Sequence, residues 1–168
     1  GLIPALISSF LAWHSTPVRA TEVEVLVLET GLGGRLDATR VSNADVCMLT
    51  SISLEHTDIL GTHQTDIARE KAAIARAGRP LIVRKPEHKD VLETIKESAR
   101  NAGMVHLEES IGPAELVLVD IPTGTSFRDE SKLLVNAIWP YLDVVNAQLE
   151  PDTSNCVWPA RMQFIKSQ

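Results

Sequence analysis

Two kinds of hydrophobic spacing alternate along the chain. Val23–Leu28 and Val46–Ile52 are β-branched and leucine-rich runs whose apolar positions are nearly continuous, the pattern of strands buried on both faces. Leu81–Val83, Met104–Leu107 and Leu116–Val119 repeat the signal in shorter form. Ile67, Ala68, Lys71, Ala72, Ile74 and Ala75 keep a helical spacing instead. That spacing predicts a helix capped by Thr62 or Thr65, running to about Ala77 and stopped by Gly78. Val91, Leu92, Ile95 and Ala99 mark a second amphipathic helix over Asp90–Ala102, ending at Gly103. Leu2–Trp13 reads as a further helix, and Glu130 to about Gln148 as another that Pro140 kinks or divides. Ile121–Ser126, with Pro122 and Gly124, reads as irregular.

Strands that alternate with helices predict an α/β fold with a largely parallel sheet and helices on both faces. The 168 residues suffice for one such domain with a core of its own. A hydrophobic fraction of 44% and a charged fraction of 23% fit a globular chain. The net charge of −6 disfavours general affinity for nucleic acid or an anionic membrane. Leu2–Trp13 is shorter than the roughly 20 residues that span a bilayer, and no basic segment precedes it as in a signal peptide. With Gly at position 1, a domain helix cut near its beginning is the better account. Cys47 and Cys156 form neither a CxxC nor a zinc-ligand spacing, which predicts free thiols in a reducing, cytoplasmic compartment.

In a parallel sheet, ligands gather beyond the carboxyl ends of the strands. The first strand delivers Glu29 there, followed by Thr30-Gly31-Leu32-Gly33-Gly34. The second delivers Thr50, Ser51 and Ser53, followed by Leu54-Glu55-His56-Thr57-Asp58. If the two strands are close in the sheet, Glu29 and His56 share a rim where a carboxylate and an imidazole can coordinate a divalent cation. Mg²⁺ keeps several waters and needs few protein ligands. The glycines let the backbone turn and approach a ligand closely. The dinucleotide fingerprint fails at Leu36, and no Gly-Lys-Ser/Thr triplet of a Walker A loop occurs anywhere in the chain. Read from residues alone, the loop is a metal-facing or substrate-facing turn, or simply a turn. His56 is a ligand or merely hydrogen-bonded, and Lys71 is a solvated cation.

The run from Leu28 through Glu29-Thr30-Gly31-Leu32-Gly33-Gly34-Arg35-Leu36-Asp37-Ala38-Thr39 resembles a signature of the folylpolyglutamate and dihydrofolate synthases, which are Mur-ligase-like enzymes. Thr50–Gly61, with Glu55-His56-Thr57-Asp58 at its centre, resembles a second signature, and Ile67–Ile74, with Glu70-Lys71-Ala72, a third. All three stand in the family's order and spacing. Trp158-Pro159-Ala160-Arg161-Met162-Gln163 resembles the family's segment at the hinge between its two domains.

The resemblance implies a site. Glu29 and His56 match positions that bind the catalytic Mg²⁺, and Lys71 matches a lysine carbamylated in several members, which makes Lys71 and His56 the catalytic candidates. Gly31, Gly33, Gly34, Arg35, Asp37 and Thr39 match the region flanking the folate or pteroate pocket. Arg161 matches a hinge arginine near the nucleotide. The implied reaction uses ATP to convert the carboxylate of a folate or dihydropteroate into an acyl phosphate, which the amine of L-glutamate then attacks. Some positions depart from the family: Arg40 stands where Asn is commoner, Glu55 where Asp is, Ala160 where Gly is and Met162 where Phe is.

The family's phosphate loop precedes these motifs and its carboxy-terminal domain follows the hinge. The expectation is therefore a partial ATP-binding ligase domain over residues 1–155 and a hinge segment over 156–168, inactive as an isolated chain. A sheet edge left open by the missing first strand would favour self-association. The alternative is a non-catalytic remnant that binds a folate-like ligand or complements another chain.

Overall fold

The computed structural model describes residues 27–102 and 112–142. The expected helix Leu2–Trp13, the strand Met104–Leu107, Cys156, Arg161 and the hinge segment 156–168 lie outside the described residues. So does most of the strand expected at Val23–Leu28, and its last two residues, Val27 and Leu28, are not in a strand.

Three strands form a parallel sheet in the order β1 (Cys47–Leu49), β2 (Pro80–Arg84) and β3 (Glu115–Val119). Among the described residues four α-helices accompany them: α1 (Thr57–Leu60), α2 (Gln64–Ala72), α3 (Lys89–Asn101) and α4 (Phe127–Ile138). β2 is central, and Leu81, Ile82 and Val83 are completely buried, as a strand covered on both faces requires. Register sorts the side chains. Cys47, Leu81 and Leu116 form one row and Leu49, Val83 and Leu118 another, and both rows pack with Ala68, Ala72, Val91, Ile95 and Ala99 of α2 and α3. The alternate row, Met48, Ile82 and Val117, faces the other way. α4 packs across β2 and β3 there, with Leu134 buried. Helices thus cover both faces of a parallel sheet, the architecture expected from the hydrophobic pattern.

Several boundaries differ from the sequence reading, each for a local reason. β1 is confined to Cys47–Leu49 because its only pairing among the described residues is with β2. α4 begins at Phe127, three residues before the expected Glu130. Ser126 caps it: its Oγ accepts from the Asp129 amide at 3.2 Å and donates to Asp129 Oδ2 at 2.7 Å. Pro140 ends the helix in a short 3₁₀ turn over Trp139–Tyr141. α2 stops at Ala72 and not at Ala77, because the carbonyls of Ala73 and Ile74 that follow are taken by the side chains of Arg40, Cys47 and Arg76.

Ile82 is the test of the two-faced core. Ile82→Ala should lower unfolding free energy by about 2–5 kcal/mol in urea titration, whereas Ile59→Ala, at a position 65% exposed, should change it by no more than about 0.5 kcal/mol.

Candidate functional site

The glycine-rich loop folds around one carboxylate. Asp37 Oδ2 accepts from the amides of Gly31 at 3.0 Å and Leu32 at 3.3 Å, while Oδ1 accepts from the Thr39 amide at 2.9 Å and its hydroxyl at 2.7 Å. The same residue caps the 3₁₀ turn Ala38–Val41. Thr30 and Thr39 approach each other at 3.4 Å between their hydroxyl oxygens. Partial burial pushes the Asp37 carboxyl up, but the hydrogen bonds from Thr39, Leu32 and Gly31 together outweigh it and hold the group below the ordinary aspartate range.

The loop then runs along the last turns of α2. Gly34 is buried, and a Cβ there would lie 2.8 Å from the Glu70 carbonyl oxygen and 2.9 Å from that of Lys71, so only glycine fits. This approach lets the Arg35 amide donate to the Glu70 carbonyl at 3.0 Å, and Arg35 Nε reaches Glu70 Oε1 at 2.7 Å. Farther on, Arg40 donates to the Ala73 carbonyl. Arg76, only 7% exposed, donates back through one terminal nitrogen to the carbonyls of Arg40 at 3.0 Å and Ser42 at 3.3 Å, and through the other to those of Ile74 and Ala75. Cys47 Sγ donates to Ile74 at 3.2 Å. Burial pushes the Cys47 thiol up, against the opposing pull of Arg76 and Arg40. Burial and the neighbouring Arg76 charge lower the Arg40 value.

The second motif reaches the same place. A Cβ on Gly33 would lie 3.1 Å from the Leu60 side chain, and Leu60 is the buried residue of α1. His56 precedes α1 with φ 52°, a left-handed conformation uncommon outside glycine, and its side chain caps nothing. The segments Glu29–Thr39, His56–Leu60 and Glu70–Ile74 therefore converge around α2 and its C-terminal turn. Glu29 and His56 are both exposed, and Lys71 is half-buried. Glu29 lies just before the loop, in a described stretch without strand pairing, so its connection to the rest runs through α2 and not through β1.

Among the described residues no group of three or more His, Cys, Asp and Glu side chains could hold a metal ion. The donor set still fits Mg²⁺. Glu29 offers hard carboxylate oxygens and His56 a ring nitrogen, both reach solvent, and a Mg²⁺ site completes its octahedron with water and phosphate oxygens. A separate cleft of about 210 Å³ opens beyond β1 and β2, lined in part by Ile52, Gln64, Arg84 and His88, and none of the candidate residues lines it. Arg84 Nε sits 2.9 Å from Glu130 Oε1, close enough for an ion pair, but the N–H points off that oxygen and makes no hydrogen bond.

Sequence reasoning passed over Arg76, gave Glu70 no role beyond its place in a motif, and treated Arg40 only as a departure from a pattern. The available signal was the placing of basic residues at the end of a helix, where they complement the dipole and the last carbonyls.

No protein-family model matches the chain. The curated dihydrofolate synthase/folylpolyglutamate synthase of Escherichia coli K12 is 47% identical over 85 residues, which is 51% of this chain and 19% of that protein. The chain is a relative of the folylpolyglutamate synthase/dihydrofolate synthase family. The Bacillus subtilis 168 protein of the same name is 30% identical over 171 aligned positions, covering 86% of this chain and 40% of its own length. The chain thus spans well under half of the length of these curated relatives. Among solved structures, E. coli FolC in complex with DHPP and ADP superposes with a TM-score of 0.56 at 27% identity, over 83% of this chain and 36% of that one. A bifunctional folylpolyglutamate synthase/dihydrofolate synthase with Mn, AMPPNP and L-glutamate bound gives a TM-score of 0.61 at 26% identity, over 87% and 38%. The S73A mutant of L. casei FPGS shares the fold, with a TM-score of 0.66 at 20% identity.

The depressed Asp37 value sets a pH dependence. A carboxyl held low in the folded state contributes stability above its unfolded value and loses it as pH falls through its folded value. Asp37→Asn should therefore remove part of the loss of stability on acidification below the ordinary aspartate range, read as a flatter acid limb of unfolding free energy against pH. An acid limb identical to wild type would contradict the role given to Asp37.

Proposed function

We propose that this chain supplies part of the ligase domain of an ATP-dependent enzyme that joins L-glutamate to a folate or dihydropteroate through an acyl phosphate. One observation carries the reading: the three motif segments gather around one helix in a chain whose curated relatives bear that activity in their names. The related structures hold nucleotides, L-glutamate, DHPP or Mn, which is consistent with it.

In this reading Glu29 and His56 hold Mg²⁺. Bound there, the ion would neutralise charge on the phosphoryl group that moves from ATP to the carboxylate. The chain's own residues bind and orient. Asp37 shapes the turn after Glu29, so the carboxylate arrives on a pre-formed backbone and not on a floppy loop. Gly31, Gly33, Arg35 and Thr39 present the loop's outer surface beside the folate or pteroate. Arg35 is half-committed, since Glu70 already takes its Nε–H. Lys71, whose carbonyl borders the Gly34 contact, would gain a carboxylate-like head if carbamylated and could then serve a metal as a ligand rather than repelling it. Arg161 contacts the nucleotide from the hinge. With no Gly-Lys-Ser/Thr triplet to cradle phosphate, these 168 residues alone should show no ATP turnover above background.

A Mg²⁺ titration in the presence of a folate ligand tests the reading. The wild-type chain should show Mg²⁺-dependent ligand binding, and both Glu29→Ala and His56→Ala should weaken the Mg²⁺ dependence by about tenfold or more. Variants that titrate like wild type would remove the basis for the metal assignment.

A further inference from the structure

We propose that Arg76 is a positioning residue for the metal-site loop. It fixes the strip that follows Glu29 against the helix that bears Lys71, and so sets how those two groups are placed relative to each other. The inference rests on the reading of Glu29 as a metal ligand.

Each link is a hydrogen bond in the structure. Arg76 binds the carbonyls of Arg40 and Ser42, which bracket the end of the 3₁₀ turn. That turn is capped by Asp37, whose other oxygen holds the Gly31 and Leu32 amides, two and three residues after Glu29. Through its other terminal nitrogen Arg76 also donates to the carbonyls of Ile74 and Ala75, in the turn that leaves α2. A single guanidinium therefore joins the exit of the helix to the exit of the loop. Glu70 makes the matching connection at the other end, through Arg35. Lys71 lies on the stretch of helix between the two.

The chemistry of the side chain suits this use. All of the partners described for Arg76 are backbone carbonyls, and it has no carboxylate among the described residues. A planar fork with five donors can serve four carbonyls on two chain segments at once, which a lysine ammonium cannot. The buried charge of Arg76 is held by the negative ends of peptide dipoles at the C-terminal side of α2.

A purely structural arginine would lower stability and nothing else, so the test reads metal affinity. Mn²⁺ binding to the intact chain is followed by electron paramagnetic resonance for wild type, Glu29→Ala, Arg76→Met, Arg76→Lys and the core control Val91→Ala. Arg76→Met should weaken Mn²⁺ binding by about tenfold, in the range found when a residue supporting a metal ligand is removed. Arg76→Lys should lose less, and Val91→Ala should bind as wild type although it is less stable. Glu29→Ala weakened with Arg76→Met unchanged would overturn this inference alone. Equal weakening in Arg76→Met and Val91→Ala would also overturn it, by reducing Arg76 to a stability role. Wild type and Glu29→Ala binding alike would overturn the metal reading and this inference with it. If Arg76→Met does not fold, Arg76→Lys decides: wild-type Mn²⁺ affinity in a folded Arg76→Lys overturns the proposal.

Discussion

The last turn of α2 and the residues that leave it present carbonyls that no amide within the helix takes, and the fold around the candidate site is arranged to satisfy them. A buried carbonyl without a partner costs about 1–3 kcal/mol, so several together would unravel the helix end. The glycine-rich loop, two arginines and Cys47 provide the donors. Glu70 is met by the Arg35 amide, Ala73 by Arg40, and Ile74 by Arg76 and Cys47. The loop is therefore not a free turn decorated with functional side chains. Its path is the one that a helix terminus needs.

This constraint explains the chemical composition of the loop. Gly34 has no side chain because the backbone of α2 occupies the space. Asp37 is an acid because four donors inside the loop converge on it, a demand that Asn, with a single oxygen, would not meet. Two of the residues that a motif reading assigns to substrate thus have structural partners that account for them. What remains free to face a ligand is the outer surface of the loop, together with the exposed Glu29 and His56. Rigidity in the loop is useful for metal chemistry, since two protein ligands define a site only when their backbones are held.

The architecture was legible in the sequence because it depends on periodicity. Continuous apolar runs gave β1, β2 and β3, and the Val91, Ile95 and Ala99 stripe gave α3 with its boundaries nearly intact. The motif residues were legible as a set, although their roles were not. Gly34 and Asp37 read as ligand-facing from the family resemblance, while the close approach of Gly34 to α2 and the hydrogen bonds of Asp37 within the loop appear only once the chain is folded. Arg76 was invisible for a related reason. It belongs to no motif, and its importance comes from contacts with Arg40 and Ser42, more than thirty residues away in sequence. Helix length failed in the same place: alanines from 73 to 77 favour continuation, but tertiary donors captured the carbonyls first.

Amide hydrogen exchange at Arg35 measures the central contact directly. Its N–H donates to Glu70 across the gap that Gly34 leaves open. The account predicts slow exchange, in the class of the Ile82 amide in the central strand, despite an exposed Arg35 side chain. Exchange of the Arg35 amide at the rate of an unstructured loop would contradict it, because the glycine-rich segment would then be free of the helix.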